Sequence, residues 1–305
     1  MSVKTIKYNN IIWYHIDQLD DVALELLKSE FKFHPLDIKD VKGEAEESKV
    51  DIYRSYLFLV LHFPILHRSQ GRIGFMELDI FLGDGFLVTI QKGKFKPMRE
   101  IYYKAQNSPK YRKAYFGRDS GYLLYRILEL LYKDSKAITS YISKRLRELE
   151  DEVYSDEINE DTARRIAYLR RKILDLKRIF DPQTEVMSHV SQLKTKFLPA
   201  DLNVYFDDID DYIDKVTNFL DNQKYVLKDL LEVHDSLVTH KTNKIIKILT
   251  VFSVALLPLT LLSGIYGMNI PLPLSHKPFI VWMIYFILLI IIFGVVWRMH
   301  KKKLL

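Results

Sequence analysis

The run that decides the reading of this chain is Ile248–Pro271, ILTVFSVALLPLTLLSGIYGMNIP. Its first 18 residues, Ile248 to Ile265, carry no charge, and a helix of that length crosses a hydrocarbon core of about 30 Å. The run closes in a neutral turn with Gly267 and, at the tip, Asn269. A second uncharged run, Phe279 to Trp297, has 19 residues and is apolar on every face. Trp282 and Trp297 lie near its ends, where interfacial aromatics sit.

The two runs differ in chemistry. The first holds Thr250, Ser253, Pro258, Thr260, Ser263 and Gly264, and the second is almost purely aliphatic and aromatic. Small and polar residues in a membrane helix face protein or water. The first span is therefore expected to line something and the second to face lipid. Two spans cannot enclose a pore, so a pore needs a symmetric ring of chains. Lys241, Lys244 and Lys247 precede the first span and Arg298, Lys301, Lys302 and Lys303 follow the second, whereas the connector Tyr266–Pro278 has only Lys277 and His276. By the positive-inside rule both termini are cytoplasmic, the connector faces outward, and the protein is a multi-pass protein of the cell membrane.

Before the first span, residues 200–257 contain no glycine or proline, and Leu202, Phe206, Ile209, Ile213, Val216, Leu220, Leu227 and Leu230 recur three and four apart. That is a helical seam running without a break into the membrane segment. At 1.5 Å per residue a helix over residues 200–257 is about 87 Å long, so most of it must pack against other chains or the neighbouring hairpin. Upstream, Ser120–Tyr154 and Glu157–Ile179 read as two mixed-charge helices, with Pro182 expected to kink or restart the next. Ile11–Ile16, Ser55–Phe63 and Phe75–Gln91 read as strands, the last made a hairpin by Gly83-Asp84-Gly85, and Asp21–Phe31 as a short helix.

The fold class is thus an α+β cytoplasmic domain, a mixed sheet with long helices, plus a stalk helix continuing into the first of two C-terminal transmembrane helices. The expected divisions are 1–118 (α/β domain), 119–198 (helical hairpin), 199–247 (stalk) and 248–305 (membrane domain).

Composition narrows the function classes. The 305 residues include no cysteine, which excludes disulfides and thiolate metal sites. The opening residues, MSVKTIKYNN, do not read as a secretory signal peptide. The net charge is +6, and Lys92–Arg118 holds nine Lys and Arg against one acid, Glu100. No nucleic-acid motif accompanies that stretch, so it reads as membrane-facing or solvated basic surface, with no nucleic-acid partner. The nine histidines lack metal-ligand spacing, and His234 and His240 on the stalk read as interface or surface residues. No nucleophile and base, no phosphate-binding loop and no organic cofactor suggest themselves, so the chain is not read as an enzyme.

Tyr266-Gly267-Met268-Asn269 resembles the signature of the CorA family of magnesium channels. Lys241-Thr242-Asn243, Pro258-Leu259-Thr260, Gly264-Ile265-Tyr266, the proline-free stalk and the Lys-rich tail fall where that family has similar residues. The resemblance covers most of the chain, more weakly at the N-terminal end. It implies a homopentamer with a funnel-shaped cytoplasmic domain, and a selectivity filter of Gly267, Met268 and Asn269. It further implies a pore lined by Gly264, Thr260, Leu257, Leu249 and Asn243, with Mg²⁺ as cargo and Co²⁺ or Ni²⁺ as ions of similar hydrated form. A ring of amide oxygens can accept hydrogen bonds from the waters of an ion that dehydrates reluctantly, at the modest affinity conduction needs.

By the same resemblance, Asp40 in His34-Pro35-Leu36-Asp37-Ile38-Lys39-Asp40 meets Asp208 of a neighbouring chain, and a regulatory Mg²⁺ bridges the two acids and closes the channel. The sequence departs from the pattern at Lys39, where relatives can have a second acid, at Leu257, where many have Met, and in the acid-free outer loop Ile270–Pro278. Two other readings stay open: a zinc transporter of the same superfamily, in which Val usually replaces Met268, and a two-span sensor without a pore.

Overall fold

The computed structural model describes residues 3–43, 45, 47–67, 72–155, 161–269 and 278–301. The chain divides into two compact units, Met1–Leu230 and Leu231–Leu305. The outer connector 270–277, the residues 156–160 between the long helices and the tail beyond Lys301, all read above from sequence, lie outside the described residues.

The first unit is built on one long hairpin. The apolar run Tyr56–His67 forms β4 and pairs antiparallel with β5, Arg72–Gly83. Residues 56–64 are buried throughout, because both faces of the strand are covered. Tyr56, Phe58 and Val60 point into a core shared with Ala23, Leu27, Phe33, Ile38 and Val41. Leu57, Leu59, Leu61 and Phe63 point the opposite way, as period-two alternation requires, and the two long helices described below pack on this sheet. Pro64 sits in β4 without breaking a ladder. The neighbouring strand β3, Lys49–Ile52, pairs only with Leu57–Val60, so the edge beside Pro64 is unpaired.

β1 (Val3–Tyr8) and β2 (Ile11–Ile16) form a second hairpin through Asn9, whose φ of 51° asparagine tolerates. β6, Phe86–Gln91, pairs antiparallel with β5 and parallel with β2, giving a six-stranded sheet in the order β1-β2-β6-β5-β4-β3. α1 (Asp21–Glu25), capped by Asp20 Oδ1 on the Ala23 N–H at 2.8 Å, runs into a π-helical turn over Leu26–Glu30. α2 is Pro35–Lys42, and the basic stretch folds as α3 (Lys96–Asn107) and α4 (Pro109–Tyr115).

α5 spans Ser120–Tyr154, the bounds its pattern predicts, with Asp119 capping the Tyr122 N–H at 2.8 Å. α6 corrects the sequence reading. It runs Thr162–Gln192 straight through Pro182 instead of restarting there. Proline removes a donor and crowds the preceding turn, and the buried Gln183 stands next to it. Its Nε2 donates to the Ile179 carbonyl at 2.6 Å and to the His62 carbonyl in β4 at 2.8 Å, while its Oε1 accepts from the Tyr132 hydroxyl. One amide therefore joins α5, α6 and the sheet.

After a 3-10 turn at Ala200–Leu202, α7 runs Asn203–Tyr266. All eight seam residues from Leu202 to Leu230 are buried. Their neighbours are in part α5 and α6: Tyr205 meets Tyr125 at 4.9 Å between ring centres, and Lys177 pairs with Asp221 at 2.9 Å. α8 is Pro278–Lys301.

Gly121, at the start of α5, is where the 193–202 segment crosses the helix. A Cβ there would lie 2.4 Å from the Phe197 carbonyl oxygen and 2.8 Å from Leu202 Cδ1. Gly121→Ala should therefore cost about 1–3 kcal/mol of stability by overpacking, read as a lowered thermal midpoint of the full chain in detergent.

His15 offers a pH test. It is buried, with Nδ1 3.1 Å from Thr89 Oγ1, and burial lowers its pKa to about 4, with Lys4 also lowering it and Asp17 opposing. The folded pKa lies below the unfolded value, so the unfolded chain binds a proton first as pH falls. Stability is then lost between about pH 6.5 and 4, by at most roughly 3 kcal/mol from this residue. Thermal unfolding from pH 7 to 5 should fall more steeply for the wild type than for His15→Gln; equal slopes would remove His15 from the acid sensitivity.

Candidate functional site

Both long uncharged runs are helices long and apolar enough to cross a membrane, within Ala200–Tyr266 and Phe279–Met299, with mean hydropathy of 2.3 and 3.0 over their most apolar windows. A helix in lipid must satisfy its polar groups internally. The first span does this with its hydroxyls as well as its backbone: Thr250, Ser253 and Thr260 each donate to the carbonyl four residues back, at 2.8, 2.9 and 3.0 Å. The donors are thereby used up, and the oxygen lone pairs remain as acceptors.

At 100° per residue, Asn243, Leu249, Leu257, Thr260 and Gly264 fall within an arc of about 120° on α7. All five are exposed in the single chain. Toward its C-terminal end this face becomes a shallow groove lined by Leu257, Thr260, Leu261, Gly264, Ile265 and Met268. Four of the residues singled out from sequence thus share one surface, with Asn243 and Leu249 further down the same helix.

The helix stops at Tyr266. The Gly267 N–H closes on the Ser263 carbonyl at 2.9 Å, and the Met268 N–H closes on the Ile265 carbonyl at 3.2 Å. A Cβ on Gly267 would stand 3.0 Å from that Ser263 oxygen, tighter than ordinary side chains tolerate. Gly267 is therefore where the backbone passes closest to the last turn, and Met268 and Asn269 follow it, both exposed.

The candidate control acids are in the first unit. Asp208 is exposed on α7, in a run of acids whose mutual repulsion is visible at Asp210: burial raises its carboxyl pKa, and Asp214, Asp207 and Asp211 raise it further. Asp40, in the last turn of α2, has a partner the sequence reading missed. Lys49 Nζ lies 2.6 Å from Asp40 Oδ2 and 2.8 Å from Asp51 Oδ2. Lys39, the departure noted from sequence, is not the residue that neutralises it. Lys49 lies nine residues on in β3, and only the pairing of β3 with β4 brings it alongside.

A second group escaped the sequence reading. Glu77 and Asp79, alternate residues of β5, are both buried, and the Lys92 ammonium answers them, hydrogen-bonded to Glu77 and 3.4 Å from Asp79 Oδ2. The same ammonium donates to the Asp40 carbonyl at 3.0 Å and to the Gly43 carbonyl. Burial lifts the Asp79 carboxyl well above the usual range, with Lys92 opposing and Glu77 adding to the rise. A buried ionic knot in the sheet thus anchors the end of the helix that carries Asp40. His234, read from sequence as an interface or surface residue, is buried, with Nδ1 3.3 Å from Asp235 Oδ1; His240 is exposed. Among the described residues no group of three or more His, Asp or Glu is arranged to hold a metal ion.

The model of the family described as CorA-like Mg²⁺ transporter protein matches residues 8–302. The cobalt/magnesium transport protein CorA of Thermotoga maritima is 27% identical over 243 residues, 78% of this chain and 67% of the relative. The zinc transport protein ZntB of Pectobacterium atrosepticum is 22% identical over 95% of this chain and 87% of the relative. The complete structure of the CorA magnesium transporter from Methanocaldococcus jannaschii superposes with a TM-score of 0.80 at 20% identity, over 95% of this chain and 92% of that one. The match from residue 8 to residue 302 includes sheet, hairpin, stalk and both spans, and the chain belongs to the CorA-like Mg²⁺ transporter family.

Proposed function

We propose that this chain is one subunit of a homopentameric channel in the cell membrane, with both termini cytoplasmic. It passes hydrated Mg²⁺, with Co²⁺ and Ni²⁺ as further cargo. The observation that carries the reading is the uncharged turn at the end of α7: Gly267 closes on Ser263, and Asn269 follows at the tip of a face that also holds Gly264, Thr260 and Leu257.

Five copies of Asn269 supply a ring of amide oxygens. Amides accept hydrogen bonds from the ion's waters without the grip of carboxylates, so the ion is selected and still leaves. Leu257 and Leu249 form the apolar constriction, with Thr260, Gly264 and Asn243 as polar rings on either side. No nucleotide is needed, since a divalent ion moving inward through about 100 mV gains roughly 4.6 kcal/mol.

Closure follows from the acids. In the pentamer, Asp40 of one chain faces Asp208 of the next, and a bound Mg²⁺ bridges them. Asp40 keeps ligand capacity beside Lys49, because a carboxylate offers about four lone-pair sites. Two facing carboxylates repel when empty and are bridged by a divalent ion, so cytoplasmic Mg²⁺ draws the subunits together and its loss lets them separate.

The zinc reading is supported by the likeness to ZntB, and Met268, where zinc transporters of the superfamily usually carry Val, favours magnesium. The polar and small residues of the first span count against a sensor without a pore.

Flux of Mg²⁺ into proteoliposomes holding a Mg²⁺-sensitive dye, inside negative, tests the filter. Wild type should conduct and Asn269→Ala should lose flux at least about ten-fold, the scale expected when a selecting ring is removed. Zn²⁺ flux without Mg²⁺ flux would shift the reading to zinc, and no divalent flux from intact oligomers would leave the sensor reading. For closure, Asp208→Ala should keep flux high at millimolar internal Mg²⁺. Normal inhibition in that variant would take Asp208 out of the mechanism.

A further inference from the structure

α8 is the apolar span, and among residues 279–297 its only hydroxyl belongs to Tyr285. That hydroxyl lies 2.9 Å from Ser263 Oγ on α7. Ser263 thereby departs from Thr250, Ser253 and Thr260 of the same span, which all bond back to their own backbone. The Tyr285 ring is flanked by Trp282, 6.2 Å away between centres.

Ser263 is also the residue whose carbonyl receives the Gly267 N–H at 2.9 Å, and a Cβ on Gly267 would sit a tight 3.0 Å from that oxygen. One residue therefore carries two bonds. Its backbone oxygen closes the turn that leads to Asn269, and its side-chain oxygen holds the second span. Any rotation of the last turn of α7 that carries Gly267–Asn269 with it must break or stretch the bond to Tyr285. In hydrocarbon neither hydroxyl has water to fall back on.

We propose that Tyr285 is a positioning residue of the ion-selecting turn, acting through Ser263. The second span is then more than a lipid-facing jacket, because it sets the orientation of Asn269 from outside the pore. This rests on the reading of Gly267–Asn269 as the filter. Tyr285 does not touch the ion, so its loss acts on how well the amide ring is aligned for the hydrated ion and leaves the path open. Ca²⁺, larger and less tightly hydrated than Mg²⁺, is the competitor that a loosened ring admits.

The test is the proteoliposome flux assay on wild type, Tyr285→Phe, Ser263→Ala, the double variant, Ser263→Thr and Asn269→Ala, each checked for an unchanged oligomer by size-exclusion chromatography. Tyr285→Phe and Ser263→Ala should each raise the half-saturating Mg²⁺ concentration about three- to ten-fold, the range for one interhelical hydrogen bond in a membrane. Each should narrow the preference for Mg²⁺ over Ca²⁺ while keeping maximal flux within about two-fold. The double variant should be no worse than either single one, since both remove the same bond, and Ser263→Thr, which keeps a hydroxyl, should behave as wild type.

Unchanged half-saturation and selectivity in both single variants would overturn the proposal, as would additive losses in the double. If Asn269→Ala also leaves flux and selectivity intact, the filter reading fails and takes this proposal with it. If Asn269→Ala abolishes flux while Tyr285→Phe does nothing, only the positioning role falls.

Discussion

A backbone in hydrocarbon has no water to bond to, and the membrane half of this protein depends on that constraint. Where a helix ends, its last carbonyls need partners from the turn that follows. The two bonds that finish α7, from Gly267 to Ser263 and from Met268 to Ile265, bring the chain out of the helix without leaving those N–H groups unpaired. The uncharged character follows from the same physics. A carboxylate at that depth carries a large desolvation penalty and would hold a small divalent ion too tightly to release it.

The candidate control acids lie in the first unit. Asp207, Asp208, Asp210, Asp211 and Asp214 lie along one stretch of α7, where burial raises the Asp210 pKa and Asp214, Asp207 and Asp211 add to the rise. Across the sheet, Lys92 is hydrogen-bonded to the buried Glu77 and lies beside Asp79 while donating to the carbonyls that end α2. Such a knot is a poor source of net stability, since desolvation offsets much of the attraction. Its geometric effect is clearer: it ties the backbone at Asp40 to the centre of the sheet. Lys49 then sets the charge that Asp40 presents, so the helix carrying the candidate control acid is fixed at its end and half-neutralised at its side chain.

What was legible early was whatever has a strong local signal. The seam Leu202–Leu230, the bounds of α5, the β5–β6 hairpin and the two apolar spans all follow from periodicity or from long uncharged runs, and all are present. β1, β3, α2, α3 and α4 escaped because they are short or polar, and their partners come from distant parts of the chain. VKTIKY becomes a strand by pairing with Ile11–Ile16, and KVDI by lying beside β4. Pro182 was expected to kink or restart a helix on local grounds, and α6 continues past it, with the adjacent Gln183 amide bonded to α5 and β4.

The amino-acid sequence by itself determined that two C-terminal segments are long and apolar enough to span a membrane, that the first ends in an uncharged Gly-Met-Asn turn, and that a proline-free helix leads into it. Hydrophobic length, period and turn chemistry are local properties, readable one window at a time. Only the tertiary structure decided that Lys49 neutralises Asp40, that Lys92 anchors the end of α2 against Glu77 and Asp79, and that Tyr285 reaches Ser263. Each of those is a contact between residues whose proximity depends on strand register or helix packing. A side chain that completes another's hydrogen bond from nine to fifty residues away leaves no periodic trace in the chain.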